Sequence, residues 1–358
     1  MSSAEKFLSR GSIASTLKEL ILIPSSNFDD RGKIVSYVRS RLKGWGYECR
    51  IFGQRDAPAL LAEKRPGGLL LSGHLDTVPL GSDWSFDQDT ISGSTIYGRG
   101  AVDMKGGCTA MLMAAAAAST NEIPITLVFT TDEETSMKGA EEIAGDEAIA
   151  RAPAIVICEP TALKIGIRER GLLQLRITAL GKAAHASIPA EGDNAIHRAL
   201  DVIERLRSTA SRYANDRGNV IFNVDMIRGG EKVNVIPERC TVEVDMRSTS
   251  SIDPGQLLQE VEAALKGENA KLEVLHQLTP VEIPMDADIV RRLSSAGRET
   301  CDVAFATEMV RFSDRNGNIA VLGPGDPGQA HKIDEHIDID EVLEAARIYY
   351  ELAHEMKV

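Results

Sequence analysis

The chain has 358 residues, 43% of them hydrophobic and 26% charged, and a formal charge of −13 at pH 7. That length suggests two or three domains, and the composition excludes disorder, collagen-like repeats and a disulfide scaffold. The acidity would repel a polyanion over most of the surface, so nucleic acid is not the expected partner.

In chain order, Leu69 to Leu71, Ile125 to Phe129, Ala154 to Ile157 and Ile319 to Leu322 are short apolar runs that end abruptly in polar residues. They read as buried strands of a mostly parallel sheet. Helical stretches at Gly106 to Ala118 and Ser136 to Ala148 alternate with them, which makes an α/β core. The alanine-dominated run around Met111 to Ala118 is the longest apolar stretch. It is far shorter than the roughly 20 residues of a membrane span.

Between about Gly171 and Gln277 the pattern changes to a two-residue period. Leu173, Leu175, Ile177 and Ala179 alternate with Gln174, Arg176 and Thr178, and Val242, Val244 and Met246 alternate with Glu243, Asp245 and Arg247. One interleaved helix carries Ile196, Leu200, Ile203 and Leu206; another starts at Asp253-Pro254 and carries Leu257, Leu258, Val261 and Leu265. The order is β-α-β-β-α-β, a ferredoxin-like split βαβ unit. The expected organisation is a discontinuous α/β domain, residues 1–168 and 281–358, interrupted by an inserted domain, residues 169–280.

The opening Met1-Ser2-Ser3-Ala4-Glu5-Lys6 carries no basic segment followed by an apolar core, so a cytoplasmic protein is expected. Cys49, Cys108, Cys158, Cys240 and Cys301 are widely spaced without a CxxC pair, and read as reduced thiols without assigned chemistry.

Chemistry-bearing residues collect at the ends of the core strands. Leu69-Leu70-Leu71 runs into His74-Leu75-Asp76, Ile125 to Phe129 into Asp132-Glu133-Glu134, and Ile155 to Ile157 into Glu159-Pro160. Ala320-Val321-Leu322 runs towards His331, and a glycine-flanked loop ends at Asp103 before the helix near Gly106. Ligands of open α/β sheets bind beyond the carboxyl ends of the strands, so these segments can share one crevice. Several carboxylates forced together need protons or a cation. Imidazole nitrogen and carboxylate oxygen without cysteine suit zinc or another first-row metal better than calcium, and the number of groups fits two ions sharing a bridging carboxylate.

The segments Gly73-His74-Leu75-Asp76-Thr77-Val78-Pro79, Gly98-Arg99-Gly100-Ala101-Val102-Asp103-Met104-Lys105-Gly106-Gly107, Thr131-Asp132-Glu133-Glu134, Glu159-Pro160-Thr161, Gly323-Pro324-Gly325-Asp326 and Ala330-His331-Lys332-Ile333-Asp334-Glu335 resemble the successive signatures of the di-zinc aminoacylase and carboxypeptidase superfamily, in order and spacing. That group includes N-acetylornithine deacetylase and succinyl-diaminopimelate desuccinylase. The resemblance implies a zinc-peptidase-like catalytic domain and an inserted lid that makes a homodimer. It also implies two divalent ions, zinc with cobalt able to substitute, bridged by Asp103, with His74 and Glu159 at one ion and Glu134 and His331 at the other. The peptide after the bridging aspartate is often cis in that group, which would fall at Asp103-Met104.

The same resemblance makes Glu133 the general acid/base of amide hydrolysis and Asp76 the carboxylate that fixes the tautomer of a ligating histidine. His185, in Gly181-Lys182-Ala183-Ala184-His185, would stabilise the oxyanion across the dimer, while Asn234 and Arg247 would bind substrate, Arg247 through a carboxylate. Ala306-Thr307-Glu308 and Gly323-Pro324-Gly325 resemble the acetylornithine and acetylcitrulline branch and add Glu308 and Gly325 to the substrate-binding candidates. The implied substrate is a small N-acylated amino acid, N-acetylornithine first; a succinylated substrate or a peptide is the alternative. His336, where an aromatic residue often stands, and the charged triplet Arg168-Glu169-Arg170 depart from the pattern.

Overall fold

The computed structural model describes residues 3–213 and 219–357. The chain divides into two compact units, one made of residues up to Ile167, Ile283–Val303 and from Thr307 onward, the other of Arg168–Glu282 with Ala304–Ala306.

In the first unit a twisted sheet runs in the order Glu48–Phe52, Ala59–Glu63, Ile125–Thr130, Leu69–His74, Ile155–Ile157, Ile319–Val321, followed by the strand that starts at Ile165. The three pairings among the Ile125, Leu69, Ile155 and Ile319 strands are parallel, and the flanking pairings are antiparallel. Every residue of Leu69–His74 and Ile125–Thr130 is buried, which explains why these strands read as unbroken apolar runs. The helix Gly106–Thr120 is buried on all sides from Gly106 to Ala118 and packs against Ile339–Glu355 and Arg10–Ile21. Its alanines permit that close approach, so the apolar run is an interior helix.

The second helical stretch differs from expectation. Ser136 to Ala148 forms two short helices, Lys138–Ala144 and Glu147–Arg151. Met137 takes a left-handed φ of 56° before the first, and the Asp146 carboxylate caps the second by accepting from Ala148 N at 2.9 Å. An aspartate that can satisfy a free helical N–H favours a new start over a continuous helix.

In the second unit four antiparallel strands are ordered Val220–Gly229, Arg239–Ser248, Gly171–Leu180, Ala270–Leu278. Leu173, Leu175, Ile177 and Ala179 are buried against Val242, Val244 and Met246, and Gln174, Arg176 and Thr178 lie on the more open face. The helix Pro254–Ala264 has Asp253 as its cap and Pro254 in its first turn. The helix Ala195–Ser211 is rotated from the expected stripe. Ala195, Ala199, Val202, Ile203 and Leu206 are buried, while Leu200 is 53% exposed. Small alanines let the helix lie close to the sheet, so they take the inner face in place of the larger leucine.

All five cysteines are free. No helix among the described residues is long and apolar enough to cross a membrane.

Candidate active site

The parallel strands deliver their carboxyl ends to one edge of the sheet. His74 closes the Leu69–His74 strand, Asp132-Glu133-Glu134 follows Ile125–Thr130, and Glu159 follows Ile155–Ile157. Gly73 is required behind the histidine, because a Cβ there would lie 2.4 Å from the Met104 methyl carbon. Asp103 lies in an irregular turn, Ala101–Lys105, leading into the interior helix, and the Asp103–Met104 peptide is cis. His331 follows the short turn Pro327–Gln329 with a left-handed φ of 63°.

These residues converge. His74 Nε2 lies 3.2 Å from Asp103 Oδ1, 3.3 Å from Glu159 Oε1 and 3.9 Å from Glu133 Oε2. His331 Nε2 lies 3.1 Å from Asp103 Oδ2 and 3.1 Å from Glu134. The two imidazoles therefore address opposite oxygens of one carboxylate. Two sets of three donor atoms fall within 4.8 Å of one another, His74 with Asp103 and Glu134, and His74 with Glu133 and Glu159. Distance alone thus leaves Glu133 among the donors.

Asp76 meets His74 with both its main chain and its carboxylate. His74 Nδ1 donates to the Asp76 main-chain carbonyl at 2.9 Å, whereas the carboxylate stands 3.6 Å away. The carbonyl keeps Nε2 free for a metal. The Asp76 carboxylate also accepts from the backbone amides of Glu133 at 3.3 Å and Glu134 at 3.2 Å, holding the acidic pair in place.

The cluster is electrostatically crowded. Burial, aided by Glu159, Glu134 and Asp103 and opposed by His74, pushes the Glu133 carboxyl well above its ordinary range. Burial likewise raises Glu159, to about 7. Burial works against a charge on His74, yet Glu159, Asp103 and Asp76 outweigh it and hold the imidazole well above its usual value. Hydrogen bonds to Asp103 and Glu134 raise His331 to about 10. The carboxylates thus favour positive charge on the imidazoles, and a divalent cation held by the same groups would meet the same demand. A set of nitrogen and carboxylate donors without thiolate fits a first-row ion.

The inserted unit carries the other candidates. His185 lies on the short strand Ala184–His185, paired with Val235–Ile236, and Ala186 N donates to the Asn234 carbonyl at 3.0 Å. His185 and Asn234 are thus neighbours on an exposed tip. Ser187 N donates to His185 Nδ1 at 3.2 Å, and Ser187 Oγ lies 2.7 Å from the same nitrogen. Arg247 lies on the open face of the sheet, and its guanidinium forks onto Asp245 at 2.8 and 3.0 Å. An arginine expected to await a substrate carboxylate already holds one.

Two expected substrate-binding residues are placed elsewhere. Glu308 is 1% exposed and accepts from the hydroxyls of Ser72 and Thr130, so it lies inside the sheet layer and out of reach of solvent. Gly325 is also buried: its N–H donates to Glu341, its carbonyl accepts from Ala162, and its φ of 96° explains the glycine.

The model of peptidase family M20/M25/M40 matches residues 70–355. The chain belongs to that family. Among M20 relatives, an acetylornithine deacetylase of Photorhabdus laumondii is 31% identical, over 94% of this chain and 94% of its own. A probable succinyl-diaminopimelate desuccinylase of Staphylococcus epidermidis is 26% identical, over 93% and 95%. The crystal structure of the M20 metallo-carboxypeptidase Sso-CP2 from Sulfolobus solfataricus superposes with a TM-score of 0.81 at 19% identity, over 96% and 99%, and shares the fold.

Two buried ion pairs of this M20 chain escape a reading of its motifs. Arg31 Nη1 meets Asp132 Oδ1 at 3.0 Å beside the Glu133-Glu134 pair, and Arg99 Nη1 meets Glu335 Oε2 at 2.8 Å beside Asp103. Arg99, Asp132 and Glu335 stand inside the motifs, but as neighbours of stronger candidates. Arg31 stands in a polar loop with no signal at all.

Proposed function

We propose that the chain is a metal-dependent amidohydrolase that releases the acyl group of an N-acylated amino acid, with N-acetylornithine the first substrate to test. The observation that carries this reading is Asp103, whose two oxygens face His74 Nε2 at 3.2 Å and His331 Nε2 at 3.1 Å. We assign it two divalent ions, zinc with cobalt as a substitute, with His74 and Glu159 on one side and Glu134 and His331 on the other. Such ions would acidify a water and polarise the amide carbonyl.

Glu133 is the residue assigned to proton transfer, since its burial favours a carboxylate that readily takes up a proton. It takes the proton of the attacking water and returns it to the leaving amine nitrogen. Asp76, through the amides of Glu133 and Glu134, orients this pair. His185 donates from Nε2 to the developing oxyanion. Asn234 and Arg247 bind substrate, Arg247 giving up part of its fork on Asp245 to a substrate carboxylate.

The substrate class is supported by the acetylornithine deacetylase relative at 31% identity. The desuccinylase relative supports a succinylated amino acid as the second reading, and a dipeptide or a carboxyl-terminal residue is the third. A homodimer through the inserted domain, residues 169–280, fits the edge strand Val220–Gly229, which exposes Ile221 and Ile227. A cytoplasmic location fits the five free thiols. The deciding experiment is a panel of acetyl, succinyl and peptidyl substrates offered to zinc- or cobalt-reconstituted protein. Acetyl substrates are expected to be hydrolysed at least tenfold more efficiently than the others; a preference for succinyl or peptidyl substrates would replace the first reading.

A further inference from the structure

The Arg99–Glu335 pair touches more of the site than an ordinary buried ion pair. Glu335 is 1% exposed and Arg99 8%. Glu335 Oε1 accepts from the backbone N–H of Val102 at 3.0 Å and of Asp103 at 3.2 Å. Its Oε2 accepts from Arg99 Nη1 at 2.8 Å, and its own carbonyl accepts from Gly98 N at 2.9 Å. The same guanidinium donates to the Lys332 carbonyl at 3.1 Å and, through Nη2, to the Leu80 carbonyl at 3.3 Å. It lies over the Trp84 ring at 5.2 Å, and Arg99 N donates to Gln88 Oε1 at 2.7 Å.

Three chain segments therefore meet on this one ion pair. Leu80, Trp84 and Gln88 belong to the segment that follows His74 and Asp76, Val102 and Asp103 to the turn before the interior helix, and Lys332 to the residue next to His331. Lys332 and Asp103 are otherwise far apart in the chain, and His331 is half-exposed with a left-handed backbone. An unsupported histidine on such a turn would lose conformational entropy on binding a metal. Holding both backbones beforehand removes that cost.

We propose that Arg99 and Glu335 are positioning residues that fix Asp103 and His331 relative to one another, and so set the affinity of the ion held between these two side chains. This rests on the two-ion reading above. No metal-ligating side-chain atom is touched by the pair, which acts through the Asp103 amide and the Lys332 carbonyl.

The test titrates Co²⁺ into apoprotein by calorimetry, following visible absorption, for wild type, His331→Ala, the apolar double variant Arg99→Met/Glu335→Leu, and Arg99→Met/Glu335→Gln. Removing both charges avoids a buried, unpaired ion, which would confuse loss of fold with loss of positioning. The double variant is expected to weaken one equivalent of Co²⁺ roughly 10- to 100-fold, the same equivalent that His331→Ala removes, while the other stays within about threefold of wild type. Arg99→Met/Glu335→Gln also removes both charges but keeps a carbonyl oxygen for the Val102 and Asp103 amides, and is expected to restore part of that loss. Arg99→Lys, which keeps the charge on Glu335 but loses the fork, gives the same selective loss at smaller size and serves if the double variant does not fold. Wild-type affinity at both equivalents, equal loss at both, or no recovery with Arg99→Met/Glu335→Gln would overturn the proposal. Uptake of a single equivalent by wild type would instead overturn the two-ion reading itself.

Discussion

Individual residues divide sharply by how they could be read. His74, Asp103, Glu134, Glu159 and His331 were legible because each follows an apolar strand or a glycine-marked loop, and parallel strands must end at one edge. The strand ends bring His74 within 3.3 Å of Glu159, and the loops that carry Asp103 and His331 close the rest of the cluster at 3.1–3.2 Å. Glu308 was a candidate by resemblance alone, and nothing in its local sequence announces that Ser72 and Thr130 supply hydroxyls that let it be buried. Arg31 had no signal, since the partner Asp132 lies a hundred residues away and only the fold joins them. Replacing Arg31 by methionine leaves Asp132 a mostly buried carboxylate without its counter-charge, and a loss of about 3 kcal/mol is expected by urea unfolding. A loss below about 0.5 kcal/mol, the range of ordinary surface substitutions, would show that the Thr135 and Ser136 hydroxyls on Asp132 suffice. Glu133→Gln is expected to lower kcat by at least about 100-fold, at the low end of general acid/base contributions, with metal stoichiometry unchanged. Wild-type turnover in that variant would remove Glu133 from proton transfer.

Secondary-structure elements were readable where one periodicity dominated. The strand Gly171–Leu180 alternates in burial as its sequence alternates in polarity, and the all-buried Ile125–Thr130 matches its unbroken apolar run. Reading failed where a cap or a small residue overrode the pattern. Asp146 divided one expected helix into two, and Ala195 and Ala199 displaced Leu200 from the inner face of another. Asp146 also binds the Arg50 guanidinium at 2.6 and 2.9 Å, and that bond holds its carboxyl below the usual range. Asp146→Ala is therefore expected to cost about 1 kcal/mol near neutral pH, the usual worth of a helix cap. The contribution of a depressed carboxylate is complete above its unfolded value of about 3.9 and is lost as pH falls through the lower folded value. The gap between wild type and variant should thus narrow below about pH 4 in chemical unfolding; a gap independent of pH would assign the loss to helix propensity alone.

Over the whole molecule, the two-unit organisation followed from a change of period near Gly171, although the association of Ala304–Ala306 with the inserted unit has no trace in local sequence. Part of the net charge of −13 is now located: Asp103, Glu133, Glu134 and Glu159 crowd around two imidazoles and are not spread over solvent. A cation bound only by the folded state adds stability, about 2.7 kcal/mol at a hundred times its dissociation constant. Chelation should therefore lower the melting temperature reversibly, and an unchanged melting curve would separate metal from fold. For His185, mixing a His185→Ala protein with a Glu133→Gln protein is expected to restore activity through hybrid dimers, one competent site in each; no recovery under conditions of subunit exchange would confine each site to one chain. The most direct measurement is the rate of free amine release from N-acetylornithine by metal-stripped protein before and after addition of zinc. Hydrolysis is expected only after zinc is restored, and is expected to vanish in Glu133→Gln protein carrying the same zinc. Full hydrolysis by the stripped protein, or none from any N-acyl amino acid with two equivalents of zinc bound, would contradict a metal-dependent deacylase.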